Sequence, residues 1–321
     1  MTIRHATRVL LLAACAAGAA FAQSFPSKPV KIVVPFAPGG NLDVTARLVG
    51  ESMSKQLGQP FVVENRAGAG GAIGSEAVAK APPDGYTLVA GTTATTIVSP
   101  LMVPNPPYGL ESFTPVGMMA VTPLILEVPA ASAYKDFKAY LAYSKANPGK
   151  VTIGHSGNGT TNHVAILLLQ DALKVQWNIV PYKGSGPALI DLVGGQIDSM
   201  MDQTSSSLPQ IQAGKLRAIA VGTKSRIPEL PQVPTLQEEG VADFEAATPS
   251  ALLAPAGTPA DVVKVLNAAL NKALADPAVH KRLVELGSDP RPMDPAQFAA
   301  YLRAEDGKLK ALVKAGLLKG G

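Results

Sequence analysis

The chain has 321 residues, 47% of them apolar, and its 28 basic and 24 acidic side chains give a formal charge of +4. At this length a single hydrophobic core stops growing, so two lobes are expected. The near-balanced charge, without a basic run, argues against nucleic-acid binding. An aromatic content of 5% leaves little ring surface for stacking on sugars or bases.

The first 22 residues have the layout of a secretory signal peptide. A basic stretch that ends at Arg8 precedes an apolar run over residues 9–20, and Ala20-Phe21-Ala22 matches an A-x-A cleavage pattern. The apolar run is shorter than the about 20 residues that a membrane-spanning helix needs. We therefore expect cleavage after Ala22 and export of the mature chain.

A lipoprotein signal is the alternative interpretation of this segment. Small residues directly precede Cys15, the only cysteine of the chain. However, only six apolar residues separate Arg8 from Cys15, fewer than the about 7 to 15 of a typical apolar core. Cleavage after Ala22 fits better, and it leaves a mature chain with neither disulfides nor thiolate metal sites.

Beyond the signal, short β-rich apolar runs alternate with helical patterns. This alternation predicts an α/β fold with parallel sheets built from βαβ units. Predicted strands cover residues 31–36, 61–64, 86–91, 151–154, 177–182, 197–201 and 217–222, and helices between them include residues 43–57 and 163–173.

The last quarter of the chain is predicted to be helical, without a further strand. Thr258-Pro259, Asp276-Pro277 and Asp294-Pro295 each place a capping side chain before a proline at the first helical position. We expect this block to pack on the first of the two lobes.

The lobe boundaries follow from that assignment. Lobe 1 is predicted to comprise residues 23–125 and 248–321, and lobe 2 residues 126–247, with a cleft between them. The chain would then cross between the lobes near residues 121–128 and 246–253, which together would form a hinge.

Two glycine-rich turns, at residues 35–43 and 154–163, each follow a predicted strand and open a predicted helix. Their glycines let the backbone approach a bound molecule, and a helix N-terminus attracts an anion through its free amides and dipole. One helix N-terminus stabilises an anion by about 0.3 to 1 kcal/mol, whereas binding with a micromolar Kd needs a free energy of roughly 8 kcal/mol. Both turns would therefore have to close on one carboxylate ligand. Neither turn contains an arginine, so backbone amides, hydroxyl groups and ordered water would have to recognise the carboxylate.

Two further segments end predicted strands and could face the same cleft. Tyr182 and Lys183 offer a hydroxyl donor and a cation, although Lys183 could equally be solvated and Tyr182 buried in the core. Asp202 would repel a carboxylate, so it suits a ligand amine, a hydroxyl or backbone amides better.

Enzyme and nucleotide motifs match only in part. Residues 68–73 resemble a dinucleotide fingerprint but have Ile73 in place of the third glycine, so we interpret them as a structural loop. Residues 154–158 come within one residue of a G-x-S-x-G elbow, which leaves a serine hydrolase with Ser156 and His163 as an alternative. HExxH, CxxC and P-loop patterns do not occur, so neither metal nor cofactor is expected.

Long segments of the chain resemble one family. The segments "PSKPVKIVVPFAPGGNLDVTARLV", "LGQPFVVENRAGAGGAIGSEAVAKAPPDGYTLV", "VPYKGSGPALIDLVGGQIDSMMD" and "AGKLRAIAV" followed by "PQVPTLQEEG" are similar to the substrate-binding proteins of tripartite tricarboxylate transporters, the Bug receptors. The resemblance covers nearly all of the mature chain.

The resemblance implies a two-lobed periplasmic-binding-protein fold of type II, the Venus flytrap, without catalysis. Its members deliver di- or tricarboxylates, acidic amino acids or aromatic acids to a membrane permease, and we expect a monomer. By motif, the resemblance assigns ligand binding to Phe36, Pro38, Gly39, Gly40, Asn41 and Asp43 in the first turn, to Ser156, Gly157, Asn158, Gly159, Thr160, Thr161 and His163 in the second, and to the neighbouring Tyr182, Lys183 and Asp202.

The sequence departs from the family pattern at Asn41-Leu42, where glycine and a hydroxyl-bearing residue are common. Leu42 removes a donor and adds apolar surface, so we expect a ligand less polar than citrate, such as an aromatic or short-chain acid. A receptor that passes its ligand to a sensor kinase rather than to a permease is the alternative within the same fold.

Overall fold

The computed structural model describes residues 25–101 and 105–314. The expected signal peptide, its cleavage site at Ala22 and the alternative lipid attachment at Cys15 lie outside these residues. In the described part of the chain, no helix combines the length and the apolar character needed to cross a membrane.

The described residues form a ten-stranded sheet flanked by helices. The strands are β1 Val30–Val34, β2 Phe61–Asn65, β3 Thr87–Thr92, β4 Phe113–Pro129, β5 Thr152–His155, β6 Asn178–Pro181, β7 Ser199–Gln203, β8 Leu216–Val221, β9 Ala247–Pro255 and β10 Asp289–Pro290. The helices of eight or more residues are α1 Asn41–Leu57, α2 Ala72–Ala79, α3 Phe137–Ala146, α4 Thr161–Leu173, α5 Ser185–Val193, α6 Thr204–Gln212, α7 Ala260–Ala275, α8 Pro277–Glu285 and α9 Pro295–Lys314.

The long strand β4 joins two halves of the sheet. Its first part pairs with β9, beyond which lie β3, β1 and β2, whereas its second part pairs with β7, beyond which lie β5 and β6. The strands β1, β2 and β3 are mutually parallel, and so are β5, β6 and β7. Each half therefore contains a parallel βαβ sheet, as the alternation predicts.

The expectation of purely parallel sheets is wrong at β4 and β9. These strands pair with each other in antiparallel register, with Thr122 opposite Thr248, and also run antiparallel to their neighbours. The sequence interpretation assigned residues 121–128 and 246–253 only to chain crossings. In the structure the crossing segments are themselves sheet strands, because two adjacent extended segments satisfy each other's backbone hydrogen bonds.

Each half of the sheet has its own apolar core. Ile32 and Met53 lie in one core together with Leu270 of α7, and Leu126, Tyr140 and Trp177 lie in the other. The C-terminal helices thus pack on the half that contains β1. This packing holds the turn after β1 on a rigid base.

The helix-start predictions in the last quarter have mixed outcomes. The Asp276 carboxylate accepts from the amides of Ala278 and Val279 and caps α8, and the Asp294 carboxylate likewise accepts from the Gln297 amide. The predicted cap at Thr258 is wrong, because its hydroxyl donates to the Pro255 carbonyl instead. The short strand β10 also interrupts the block expected to be entirely helical.

Candidate functional site

A cavity lies where the turns at the carboxyl ends of strands from both halves of the sheet meet. Its volume is about 30 Å³. The lining residues are Phe36, Gly40, Asn41, Leu42, Thr92, Ser156, Thr160, Thr161, Asn162, Ser185, Gln203 and Thr248.

The N-termini of four helices converge on this cavity. Asn41 begins α1, Thr161 begins α4, Ser185 begins α5, and Gln203 immediately precedes α6. The first amides of a helix have no intrahelical partner, and its N-terminal dipole stabilises an anion by about 0.3 to 2 kcal/mol. None of the described residues that line the cavity carries a formal charge. The cavity therefore presents neutral hydrogen-bond donors and positive dipole ends.

The first glycine-rich turn is held by Asp43 from outside the cavity. The Gly39 amide donates to Asp43 Oδ2 at 3.0 Å, and Asn65 Nδ2 and Arg47 Nε donate to Asp43 Oδ1 at 2.9 and 3.0 Å. Burial by itself would raise the pKa of Asp43, but the hydrogen bonds from Arg47, Gly39 and Asn65 outweigh it and lower this pKa. The ionised carboxylate thus shapes the turn.

Two histidines hold the second turn. The amides of Gly157 and Gly159 donate to Nδ1 of His155 and Nδ1 of His163 at 3.1 and 3.2 Å. The two rings stack with their centroids 4.5 Å apart. Burial, together with the neighbouring His163, lowers the pKa of His155 to about 4, and burial lowers the pKa of His163. Both imidazoles are therefore neutral at pH 7, with Nδ1 as the acceptor.

Ser156 lines the cavity but has no adjacent base. Its Oγ donates to Asn162 Oδ1 at 2.9 Å, and Asn162 Nδ2 donates in turn to the Met201 carbonyl at 2.8 Å. The nearby histidine Nδ1 atoms accept from backbone amides instead. This geometry does not support the hydrolase alternative.

The three neighbouring predicted residues lie outside the cavity. Tyr182 Oη donates to Asp191 Oδ2 at 2.8 Å, and the Lys183 side chain is exposed. Asp202 is fully buried and accepts hydrogen bonds from Ser185 and Ser206, and burial raises its pKa. Asp202 therefore orients Ser185, which itself lines the cavity.

Backbone contacts close the cleft from one half of the sheet to the other. The Ala37 amide donates to the Lys183 carbonyl at 2.9 Å. A Cβ atom on Gly186 would overlap the Pro38 carbonyl oxygen, and one on Gly70 would overlap the Asn158 carbonyl oxygen. The loop at residues 68–73 thus packs directly on the second glycine-rich turn. These contacts join the two halves of the sheet beside the cavity.

Six of the predicted site residues meet at the cavity, and ten do not line it. The six are Phe36, Gly40, Asn41, Ser156, Thr160 and Thr161, and the ten are Pro38, Gly39, Asp43, Gly157, Asn158, Gly159, His163, Tyr182, Lys183 and Asp202. Sequence reasoning missed Thr92, Asn162, Ser185, Gln203 and Thr248 and treated Leu42 only as a departure from the family. Thr92 and Gln203 end β3 and β7, so the rule that ligands bind beyond strand carboxyl ends could have found them.

Related sequences have the same overall organisation. The profile of the tripartite tricarboxylate transporter family receptor matches residues 45–318. A protein from the TAR-I ttuE-ttuC' intergenic region of Agrobacterium vitis is 44% identical over 308 residues, 95% of this chain and 88% of the relative. Protein BugT of Bordetella pertussis is 37% identical over 286 residues, 88% of each chain.

Solved structures extend this similarity to the fold. The periplasmic binding protein BugD is 36% identical with a TM-score of 0.87, covering 92% of this chain and 100% of its own. MatC from Rhodopseudomonas palustris with bound malate is 37% identical with a TM-score of 0.85, covering 90% of this chain and 100% of its own. R. palustris Rpa4515 with adipate is 34% identical with a TM-score of 0.86, covering 90% and 97%. The chain therefore belongs to the tripartite tricarboxylate transporter receptor family, whose members are two-lobed α/β periplasmic solute-binding proteins and not enzymes.

Proposed function

We propose that this protein captures a small carboxylic acid in the periplasm and delivers it to the membrane permease of a tripartite tricarboxylate transporter. The observation that carries the proposal is the convergence of four helix N-termini on a cavity lined by neutral donors. The relatives with bound malate and adipate support the same ligand class.

The charges around the cavity favour an acid without an amino group. An ammonium group is paired most strongly by a carboxylate, and the carboxylates of Asp43 and Asp202 are already engaged, by the first turn and by serine hydroxyls. The positive ends of the helices would also repel it. Leu42 and Phe36 both line the cavity, which supports a ligand less polar than citrate.

Ligand capture is proposed to be a shift between open and closed arrangements. The Ala37–Lys183 hydrogen bond and the contact between Gly186 and Pro38 cross the cleft, so the turns are proposed to separate when the ligand enters. The hinge would lie in the paired segments of β4 and β9, between lobe 1 at residues 23–125 and 248–321 and lobe 2 at residues 126–247. The ligand favours closure because it contacts both lobes only in the closed state.

The proposed site has two parts. The cavity-lining residues contact the acid, including the six predicted from the sequence. The ten predicted residues outside the cavity are proposed to act indirectly: Asp43 and His163 shape the two turns, Asp202 orients Ser185, and the Lys183 carbonyl closes the cleft.

Thermal unfolding with a defined acid panel tests the proposal. The panel consists of citrate, succinate, malate, adipate, nicotinate and benzoate, with glutamate as the amine-bearing comparison, and calorimetric titration follows each hit. Ligand at 100 times its Kd adds about 2.7 kcal/mol of stability. We expect a selective rise for at least one panel acid and none for glutamate. Tight citrate binding without benzoate binding would contradict the less polar ligand, and a flat panel would contradict the function.

Export by a cleaved signal peptide is proposed for the segment before the described residues. The intact mass of the protein isolated from the periplasm should correspond to a chain that begins at Gln23. A lipid-modified chain that begins at Cys15 would show that the lipoprotein alternative is correct.

A further inference from the structure

The side-chain amide of Asn41 has one satisfied end and one unsatisfied end. Asn41 is 4% exposed and lines the cavity. Its Oδ1 accepts from Ser205 Oγ at 2.7 Å and from Thr122 Oγ1 at 3.1 Å. Its Nδ2 is buried and finds no hydrogen-bond acceptor among the residues that the structure describes.

A buried amide donor without an acceptor is rare in native proteins and calls for a physical reason. The hydroxyl groups of Ser205 and Thr122 both donate to Oδ1, which leaves Nδ2 on the other side of the amide. Asn41 is the first residue of α1, where the first helix amides also lack intrahelical acceptors. An oxygen atom of a molecule bound in the cavity would supply the missing acceptor.

We propose that Asn41 Nδ2 donates a hydrogen bond to an oxygen of the bound acid and that the same amide, through Oδ1, latches the closed cleft. This inference rests on the proposed function. Ser205 belongs to α6 on one half of the sheet, and Asn41 belongs to α1 on the other. One side chain thus contacts both the ligand and the opposite lobe.

The two hydrogen bonds of the amide support each other. A ligand oxygen on Nδ2 draws charge through the amide and makes Oδ1 a better acceptor for Ser205. Thr122, on the crossing segment of β4, bonds both Asn41 and Ser288 and anchors the latch at the hinge. Ligand recognition and closure are coupled without any charged residue in the cavity.

Asn41→Asp is the decisive variant because it preserves shape while replacing the donor by an acceptor. Ser205 and Thr122 can still donate to the carboxylate, so the closed contacts keep their partners. We expect the affinity for the panel acid to fall by more than about 100-fold, because a donor to a charged oxygen is lost and a like charge is added. Asn178→Asp, at an exposed position of β6, adds the same charge elsewhere and should bind like wild type.

Ser205→Ala tests the latch separately. It keeps the Asn41 amide but removes one donor to Oδ1, so we expect about 3- to 10-fold weaker binding of the same acid. Small-angle scattering should show a smaller ligand-induced decrease in radius of gyration than in wild type. A purely structural role of Ser205 would lower the melting temperature without changing this ligand response.

The possible outcomes distinguish a failure of the proposed carboxylate-binding function from a failure of the proposed role of Asn41. Wild-type protein that binds none of the six acids would overturn the proposed function. Wild-type protein that binds an acid which Asn41→Asp binds within twofold would overturn the role of Asn41 alone. Melting curves of the ligand-free variants establish that each is folded.

Discussion

His155 and His163 show how single side chains can set the conformation of a ligand-binding turn. Each imidazole accepts a backbone amide at Nδ1, so the bond requires the neutral ring. The pKa of His155 falls to about 4 from the ordinary 6.5. When a histidine has a lower pKa in the folded state, its contribution to stability is present above the unfolded value and is lost as the pH falls below it.

Acid should therefore destabilise the protein through His155 between pH 6.5 and 4. The lost free energy of unfolding amounts to roughly 3 kcal/mol over that range. In His155→Asn the amide oxygen can still accept from Gly157, but no charge can form. We expect a less stable protein at pH 8 and a shallower decline of stability toward pH 4, measured by denaturant unfolding at each pH.

The control for this prediction is His280→Asn, because His280 is an exposed histidine on α8. This variant should keep the wild-type slope. Asp202 and Glu127 have pKa values raised by burial, so they oppose the trend, but they do so equally in all three proteins. An unchanged slope in His155→Asn would show that the stacked pair does not govern the acid response.

At the level of elements, the strand-glycine-helix turns were predictable because they are local. The turn after β1 and the turn after β5 each follow from a short stretch of sequence. The strands β4 and β9 were not predictable in the same way, because their pairing joins Thr122 to Thr248 across more than a hundred residues. Thr248 lines the cavity because of this long-range pairing, so no local sequence pattern could predict it as a site residue.

A single methyl group added at the start of α5 can test whether ligand binding requires the cleft to close. Gly186 lies inside this helix, but a Cβ there would overlap the Pro38 carbonyl oxygen across the cleft. Gly186→Ala should leave ligand-free stability unchanged or raise it by up to about 1 kcal/mol, because alanine favours helix. It should weaken binding of the panel acid at least about tenfold by disfavouring the closed state. Calorimetric titration measures the difference.

Gly307→Ala is the matched control for this prediction. Gly307 lies in α9, and a Cβ there would meet no other atom within 4 Å. It should raise stability similarly and leave affinity unchanged. Wild-type affinity in Gly186→Ala would mean that binding does not require these two segments to touch.

For the whole molecule, the sequence predicted the class of site better than its members. Family segments and helix starts indicated a two-lobed receptor for an acid, and six predicted residues do line the cavity. Asp43 and Asp202 are ionisable and follow strands or turns, so their sequence positions resemble those of contact residues. In the structure, nearby donors already bind both carboxylates, and only the three-dimensional arrangement reveals this.

Hydrogen exchange can report closure of the whole molecule at one backbone amide. The Ala37 amide donates to the Lys183 carbonyl across the cleft, so it is exposed to water whenever the lobes separate. A bound acid populates the closed state, and we expect exchange at Ala37 to slow markedly on adding it. The Lys31 amide, which donates to the Tyr86 carbonyl within one half of the sheet, stays bonded when the lobes separate, so without acid it should exchange more slowly than Ala37. Equal exchange rates at Ala37 and Lys31 without acid would show that the cleft does not open apart from unfolding, whereas faster exchange at Ala37 that the acid suppresses locates the response at the cleft.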